Sequence, residues 1–316
     1  MRFLFYFASI YVIALFSIND YTLAQSDTVY LIFDEPYNGS LPRNFRKCNG
    51  GLMREHSTMP DTSGLNNLNI SGSAEFNDLN LRTLITTIGY ANLIIIDLRQ
   101  ETHGFVNGMC VSWYGKYDWA DVGLTREEVI TLEKHRLDSL KKTGVATVKR
   151  VIKRDKTDDT FTEIKDSTFN ITSVMTEEDL VTGWFGGYFR ITVADHRQPI
   201  NTDVDRFVSY INLLIEDYNR FKSVYWLHFH CHAGDGRTTT FMTMFDMMKN
   251  AKNVSFDNII TRQYLIGGIN LSEDDDFPAW DKQYAIQRTG FLKDFYEYSR
   301  TNNDGFKTPY SSWINK

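Results

Sequence analysis

The chain has 316 residues, room for one large domain or two ordinary ones, and 42% of them are apolar, enough for a sizeable core. A formal net charge of −6 excludes, by composition, a chain that binds nucleic acid across its whole surface. A polyanionic substrate would need a local basic pocket set against that background.

Met1-Arg2 precedes an almost wholly apolar run from Phe3 to Ile18, which Asn19-Asp20 ends. Thr22-Leu23-Ala24 follows, so the start has the charge, apolar centre and small residues of a secretory signal peptide. Cleavage is expected after Ala24. An uncleaved anchor is the alternative, although the run is short for a spanning helix. The expectation is a leader over residues 1–24 and a secreted or periplasmic chain over 25–316, with no stable membrane association after cleavage. Three cysteines, Cys48, Cys110 and Cys231, form no disulfide framework. In an exported chain Cys48 and Cys110 could pair and leave Cys231 free to react.

Residues 28–33 read as a short strand, with Val29, Leu31 and Phe33 on one face. Residues 54–72 are rich in Ser, Asn, Gly and Asp and read as irregular. Helical spacing from Leu79 to Ile88 leads into Ala91–Leu98, an apolar run suited to a strand buried on both faces. Thr125-Arg126-Glu127-Glu128 is a capping box that opens a helix through Leu140, with Gly144 as its stop. Val145–Ile152, Thr160–Ile164 and Phe169–Val174 read as short strands, so residues 104–178 are expected to contain a small inserted β-rich subdomain. Tyr188–Val193 is a further buried strand, ending at Ala194-Asp195-His196. A helix is predicted over Asp203–Tyr218, capped from Thr202, and others over Phe256–Leu265 and Trp280–Arg300. Helices alternating with buried strands argue an α/β fold.

The stretch His230-Cys231-His232-Ala233-Gly234-Asp235-Gly236-Arg237-Thr238 stands between the apolar run Val224–Leu227 and a helical pattern over Thr239–Asn250. A strand, a tight glycine loop and a helix N-terminus in that order aim backbone N–H groups at one point, which suits a phosphate. Gly234 and Gly236 are expected to supply positive φ, and Arg237 can hold two phosphate oxygens with its planar fork. Cys231 under that field is a nucleophile in place. A buried structural cysteine beside a structural arginine is the plainer reading. Metal binding by His228, His230 and His232, which alternate onto one strand face, is another.

Cys followed after five residues by Arg and then Thr resembles the signature loop of the protein-tyrosine-phosphatase superfamily. Further motifs resemble the bacterial protein-tyrosine-phosphatase-like phytases. They are Leu41-Pro-Arg-Asn-Phe-Arg46, Ile70-Ser-Gly-Ser73, Asp97-Leu-Arg-Gln-Glu-Thr-His-Gly104, Val111-Ser-Trp-Tyr-Gly115 and Asp118-Trp-Ala120. Tyr188-Phe-Arg-Ile191, Trp226–Cys231, Gly236-Arg-Thr-Thr239, Ile266-Gly-Gly268 and Asp304–Pro309 complete the set. The resemblance implies a tyrosine-phosphatase core, a mostly parallel sheet flanked by helices, with a small partial β-barrel inserted. It implies an enzyme without metal or cofactor that removes phosphates from myo-inositol hexakisphosphate in turn. By position, Cys231 matches the nucleophile, Arg237 the phosphate clamp, Asp195 the general acid and Thr238 the hydroxyl that steadies the sulfur. The loop residues His232, Ala233, Gly234, Asp235 and Gly236 would wrap the phosphate. His196, Asp118 and Arg288 match residues that line the pocket.

The chain departs from that pattern at His232 and Asp235 in the loop, at the acidic run Glu273–Asp276 and at Asp281, where the family presents a lysine. Asp235 should weaken anion binding unless its side chain points away. A broad or phosphotyrosine-directed phosphatase and a non-catalytic phospho-ligand binder are the competing readings.

Overall fold

The computed structural model describes residues 28–89, 92–184, 186–272 and 278–315. The expected leader and the run Glu273–Asp276 lie outside the described residues. In chain order the strands are β1 (Tyr30–Phe33), β2 (Arg46–Lys47), β3 (Ile70–Ala74), β4 (Leu93–Arg99), β5 (His103–Val106) and β6 (Met109–Tyr114). They continue as β7 (Val145–Arg154), β8 (Phe161–Asn170), β9 (Val174–Met175), β10 (Gly187–Val193) and β11 (Trp226–Cys231). The helices are α1 (Asp78–Ile88), α2 (Arg126–Thr143), α3 (Glu177–Gly183), α4 (Asn201–Phe221), α5 (Gly236–Asn250), α6 (Phe256–Leu265), α7 (Ala279–Thr301) and α8 (Tyr310–Ile314). No described helix is long and apolar enough to cross a membrane.

The central sheet has the order β10-β4-β11-β3-β2, parallel except for the β2–β3 pair. One face packs against α4 to α7 through residues such as Ile96, Phe207, Phe229, Phe241 and Phe295. The other face carries Leu81, Leu84, Ile95, Val181 and Trp226. This is the α/β architecture expected, and its parallel strands deliver Arg99, Val193 and Cys231 to the same carboxyl edge, where ligands of such sheets bind.

The second sheet has the order β8-β7-β1-β6-β5-β9, so β1 joins the β-rich block from outside residues 104–178. Its hydrogen bonding traces an open sheet with β8 and β9 at the edges. The two segments expected at Thr160–Ile164 and Phe169–Val174 are mostly one strand, β8, which forms a long hairpin with β7.

Three local expectations are corrected. Residues 70–72 are not irregular; they open β3, every residue of which is buried between β11 and β2. The small residues that suggested a loop are required by α5, because a Cβ on Gly72 would stand 2.5 Å from Met242 Sδ and 2.6 Å from Thr238 Cγ2. Helix α4 starts at Asn201, not from a Thr202 cap; the Ile200 carbonyl closes its first turn by accepting from the Asp203 N–H at 2.9 Å. Cys48 and Cys110 do not pair. Each is a free, buried thiol, in a different apolar cluster on opposite faces of the central sheet.

Candidate active site

Cys231 ends β11 beside Ala74 at the end of β3. The loop that follows turns its carbonyls outward. His232 O accepts from the Glu75 N–H at 3.2 Å, Ala233 O from Asn44 Nδ2 at 2.8 Å, and Gly234 O from Arg46 Nη1 at 2.8 Å. The N–H edges of those peptides therefore face the loop centre, forming an anion nest at the start of the 15-residue helix α5. Gly234 sits at φ 76°, and a Cβ there would come 2.3 Å from Ala74 N, so the position takes only glycine. Gly236, expected to share that conformation, instead begins α5 without a positive φ. Its missing side chain leaves room for Arg288, whose Nη1 would lie 3.3 Å from a Cβ. Thr238 Oγ1 donates to Cys231 Sγ at 3.2 Å. Asp235 is directed to Asn44, which donates to its Oδ1 at 3.1 Å, and Arg43 and Arg46 also offset its charge.

Arg237 is buried and its orientation is fixed. Nη1 and Nη2 donate to Glu101 at 2.6 and 2.9 Å, and Nη1 also reaches Val193 O at 3.1 Å. Glu101 in turn accepts from Arg99 Nε at 2.8 Å, and Arg99 also pairs with Asp34 and Glu75. Burial alone would raise the Glu101 carboxyl, but Arg237 and Arg99 hold it well below the usual carboxylate range. Glu101 was not singled out individually from sequence. The signal was its place just beyond strand β4, inside the motif Asp97–Gly104. Arg46 and Asn44, which organise the loop from outside, were likewise visible only as part of a motif.

Two carboxyls flank the loop with opposite character. Asp195, after β10, lies with Oδ1 3.0 Å from Arg237 Nε, and its main chain is held by Trp119 Nε1 on its carbonyl at 2.9 Å. Burial raises its proton affinity, but Arg237 and then His196 bring it below the ordinary value. Asp118 is buried among carboxylates. Burial first and then Glu101 push it up to about 7, against the His232 ring, whose Nδ1 is hydrogen-bonded with its Oδ2 at 2.9 Å. His196 places Nδ1 3.0 Å from Asp281 Oδ2. Arg288 is 3% exposed, with Nη1 3.4 Å from His196 O. The side chains expected from sequence are thus joined by contacts into one cluster around the Cys231 loop. Tyr117, Trp119, Trp280 and Tyr284 add an aromatic wall, with ring centroids 4.1 Å apart for Tyr117–Trp280 and 5.4 Å for Trp119–Tyr284.

His228 and His230 of β11 and His232 just after it do not converge on one ion. His228 lies between Ser71 Oγ and Ser73 Oγ at 2.9 and 3.0 Å, His230 pairs with Glu177 at 2.7 Å, and His232 pairs with Asp118. Among the described residues His and carboxylate groups do cluster, at Glu75–Glu177–His230, Asp97–His103–Glu177 and Glu101–Asp118–His232. There the carboxylates face Arg99 and Arg190 cations and histidines, so the clusters read as ion-pair networks.

Fold and site together have the form of the tyrosine-phosphatase type: a parallel sheet whose edge carries a Cys–loop–Arg turn with an aspartate beside the arginine. A family model for PTP-like phytases, described by inositol hexakisphosphate, matches residues 96–249. A PTP-like phytase structure from Bdellovibrio bacteriovorus superposes with a TM-score of 0.70 at 31% identity, over 92% of this chain and 96% of that one. The chain belongs to the PTP-like phytase family, whose members are cysteine-based phosphomonoester hydrolases. The PTP-like myo-inositol phosphatase of Mitsuokella multacida, solved with myo-inositol-(1,3,4,5)-tetrakisphosphate, gives a TM-score of 0.82 at 37% identity over 91% of this chain and 47% of that one. Effector protein hopD2 of Pseudomonas syringae pv. tomato is 29% identical over 257 residues, 80% of this chain and 53% of that protein. The chain spans about half the length of the last two relatives.

Proposed function

We propose that this protein hydrolyses phosphomonoesters of inositol polyphosphates through a phosphocysteine. The observation that carries the reading is the Cys231 sulfur, 3.2 Å from the Thr238 hydroxyl and under a ring of inward N–H groups closed by Arg237. Cys231 Sγ attacks phosphorus, and the bond from phosphorus to the alcohol oxygen breaks. An inositol alkoxide is a poor leaving group, so Asp195 gives its proton to that oxygen. In the free site Asp195 is held as a carboxylate by Arg237. A bound phosphate takes Arg237 as its own counter-ion and adds negative charge beside Asp195, and both changes raise the carboxyl's proton affinity. In the second step Asp195 takes a proton from water, the water oxygen bonds to phosphorus, and the sulfur leaves as a thiolate steadied by Thr238.

The substrate class is supported by the inositol tetrakisphosphate held by the Mitsuokella relative. A phosphotyrosine-directed reading has its own support in the aromatic wall and in Asp281 replacing a cation, and hopD2 is named an effector. We further propose that residues 1–24 direct export; N-terminal sequencing of the mature protein starting at Gln25 would support this, and an intact Met1 in the exported fraction would refute it. The test of function is kcat/KM on inositol hexakisphosphate against a phosphotyrosine peptide, with acid-quenched protein analysed for phosphate on Cys231. A preference for the peptide moves the assignment to a tyrosine phosphatase, and no phosphate on Cys231 removes the covalent route.

A further inference from the structure

Asp281 stands where a lysine was expected, and its surroundings give it a specific use. It lies in the first turn of α7, 4% exposed, with its backbone N–H on Pro278 O at 2.8 Å. Its Oδ2 is 3.0 Å from His196 Nδ1. His196 adopts φ 65°, a left-handed backbone that a residue with a Cβ takes only when its surroundings enforce it. Several contacts enforce it here. Asp195 Oδ1 accepts the His196 N–H at 3.0 Å, Arg288 Nη1 is 3.4 Å from the His196 carbonyl, and the Trp280 ring meets the imidazole edge-on at 4.6 Å. With Nδ1 on Asp281, the other ring nitrogen lies 3.5 Å from Asp195 Oδ2, next to the oxygen that holds Arg237.

We propose that Asp281 is a positioning residue that keeps His196 as an imidazolium with its second N–H toward the phosphate loop, so that the site binds phosphate oxygens with a titratable cation in place of a permanent one. The charged groups facing His196 are Asp195 on its own loop, Asp281 and Arg288 on α7, and Arg237 on α5. Burial and Arg237 disfavour the cation, but the two carboxylates outweigh them and the ring's proton affinity is raised. When a substrate phosphate takes up the Arg237 charge that faces Asp195, the His196 N–H is left beside the incoming anion. A charge of this kind attracts polyphosphorylated ligands at acid and neutral pH and releases its hold as the ring loses its proton at higher pH. A lysine at 281 would show no such dependence in that range.

This inference rests on the inositol polyphosphate reading, and the experiment separates the two. For Asp281→Asn, the KM ratio of variant to wild type on inositol hexakisphosphate should be near one at pH 5, where the ring is protonated with or without its partner. At pH 7.5 it should reach about tenfold, the effect of losing one charge-assisted contact. On p-nitrophenyl phosphate, whose phosphate the same loop holds, the ratio should show the same dependence on pH. Asp281→Glu should restore the wild-type pattern. Equal ratios at the two pH values would make Asp281 a merely structural contact and overturn the proposal. The His196 ring is also titrated by NMR in Cys231→Ser protein, which needs neither turnover nor a folded Asp281 variant. A midpoint above ~6.5, the unperturbed histidine value, supports the imidazolium, and one at or below it overturns it. If inositol hexakisphosphate is not hydrolysed at all, the functional reading fails on its own and the ring titration still judges the dyad.

Discussion

The Asp195 carboxylate lies 3.0 Å from Nε of Arg237, so the group read as general acid is paired, before substrate arrives, with the group read as phosphate clamp. The pair has a kinetic signature. In the free protein Arg237 and His196 hold Asp195 low despite its burial, so its protonated form is lost early as pH rises. With phosphate bound, Arg237 is occupied and a second anion is close, so the proton is kept to higher pH. The alkaline limb of kcat should therefore lie above that of kcat/KM. Coincident limbs would show that Asp195 does not exchange Arg237 for substrate.

Asp195→Asn removes the transferable proton while keeping the shape. The variant should lose roughly 10²–10⁴-fold in kcat on inositol phosphates, the range of general acid–base catalysis. On p-nitrophenyl phosphate, whose leaving group scarcely needs a proton, the first step should lose much less. Equal losses in the burst phase on both substrates would take the role from Asp195. Asp118, with its carboxyl at about 7, would be the next residue to test.

The hydroxyl 3.2 Å from the Cys231 sulfur matters when sulfur leaves. Thr238→Val should slow breakdown of the phosphocysteine by about 10- to 100-fold, the worth of a hydrogen bond to a charged group. Rapid-quench measurement should show a larger burst than wild type and more phosphate on Cys231 at steady state. Slow formation with no accumulation would assign Thr238 to the first step.

Much of this site was legible in the sequence because it is local. The strand–loop–helix around Cys231 is one continuous stretch. The Thr125 box appears with both of its hydrogen bonds, and α6 occupies the expected residues. What escaped depends on distant partners. Strand β3 reads as a loop because Gly72 answers to Thr238 and Met242 of α5, far along the chain and absent from any local window. Helix α3 was missed although Thr176 and Asp179 repeat the capping spacing of Thr125 and Glu128; at seven residues it is too short to show a period. Glu101 gains its meaning only when β4 and β11 lie side by side and bring it to Arg237.

That buried network sets a pH window for stability. Burial opposes ionisation of Glu101 and Asp97, but Arg237 and Arg99 for the first, and Arg190 and His103 for the second, hold both well below the usual range. Their contribution is present above ~4 and lost as pH falls through the native values. His103 and His230 run the other way. Burial, aided at His103 by Arg99, disfavours their cations, yet Asp97 and Glu133 around His103, and Glu177 and Glu75 around His230, raise both. That stabilisation is complete below ~6.5 and lost as pH rises through the raised values. The melting temperature should peak between these limits and fall on both sides. Glu101→Gln leaves Arg99 and Arg237 short of a charge, so it should cost about 3–5 kcal/mol and weaken the acid dependence. A melting profile unchanged by that substitution would mean the arginines find other partners.

Arg288 tests how the site counts phosphates. The resemblance implies that it lines the pocket, and in the structure it is 3% exposed, 3.4 Å from the His196 carbonyl and packed against the start of α5 at Gly236. Its pKa is lowered by burial, with Asp281 and Asp195 pulling the other way, so this is a cation kept in place by two carboxylates of the site. Placed so close to the loop, its charge acts on whichever phosphate the loop holds, and it also fixes the backbone of His196. Arg288→Ala should therefore raise KM for inositol hexakisphosphate and for a monophosphate ester by similar factors, on the order of tenfold, the scale of one charged hydrogen bond. Raised salt should change that ratio little, because a buried charge is poorly screened. A loss confined to the hexakisphosphate would instead place Arg288 against a second phosphate and make it the residue that selects polyphosphorylated substrates.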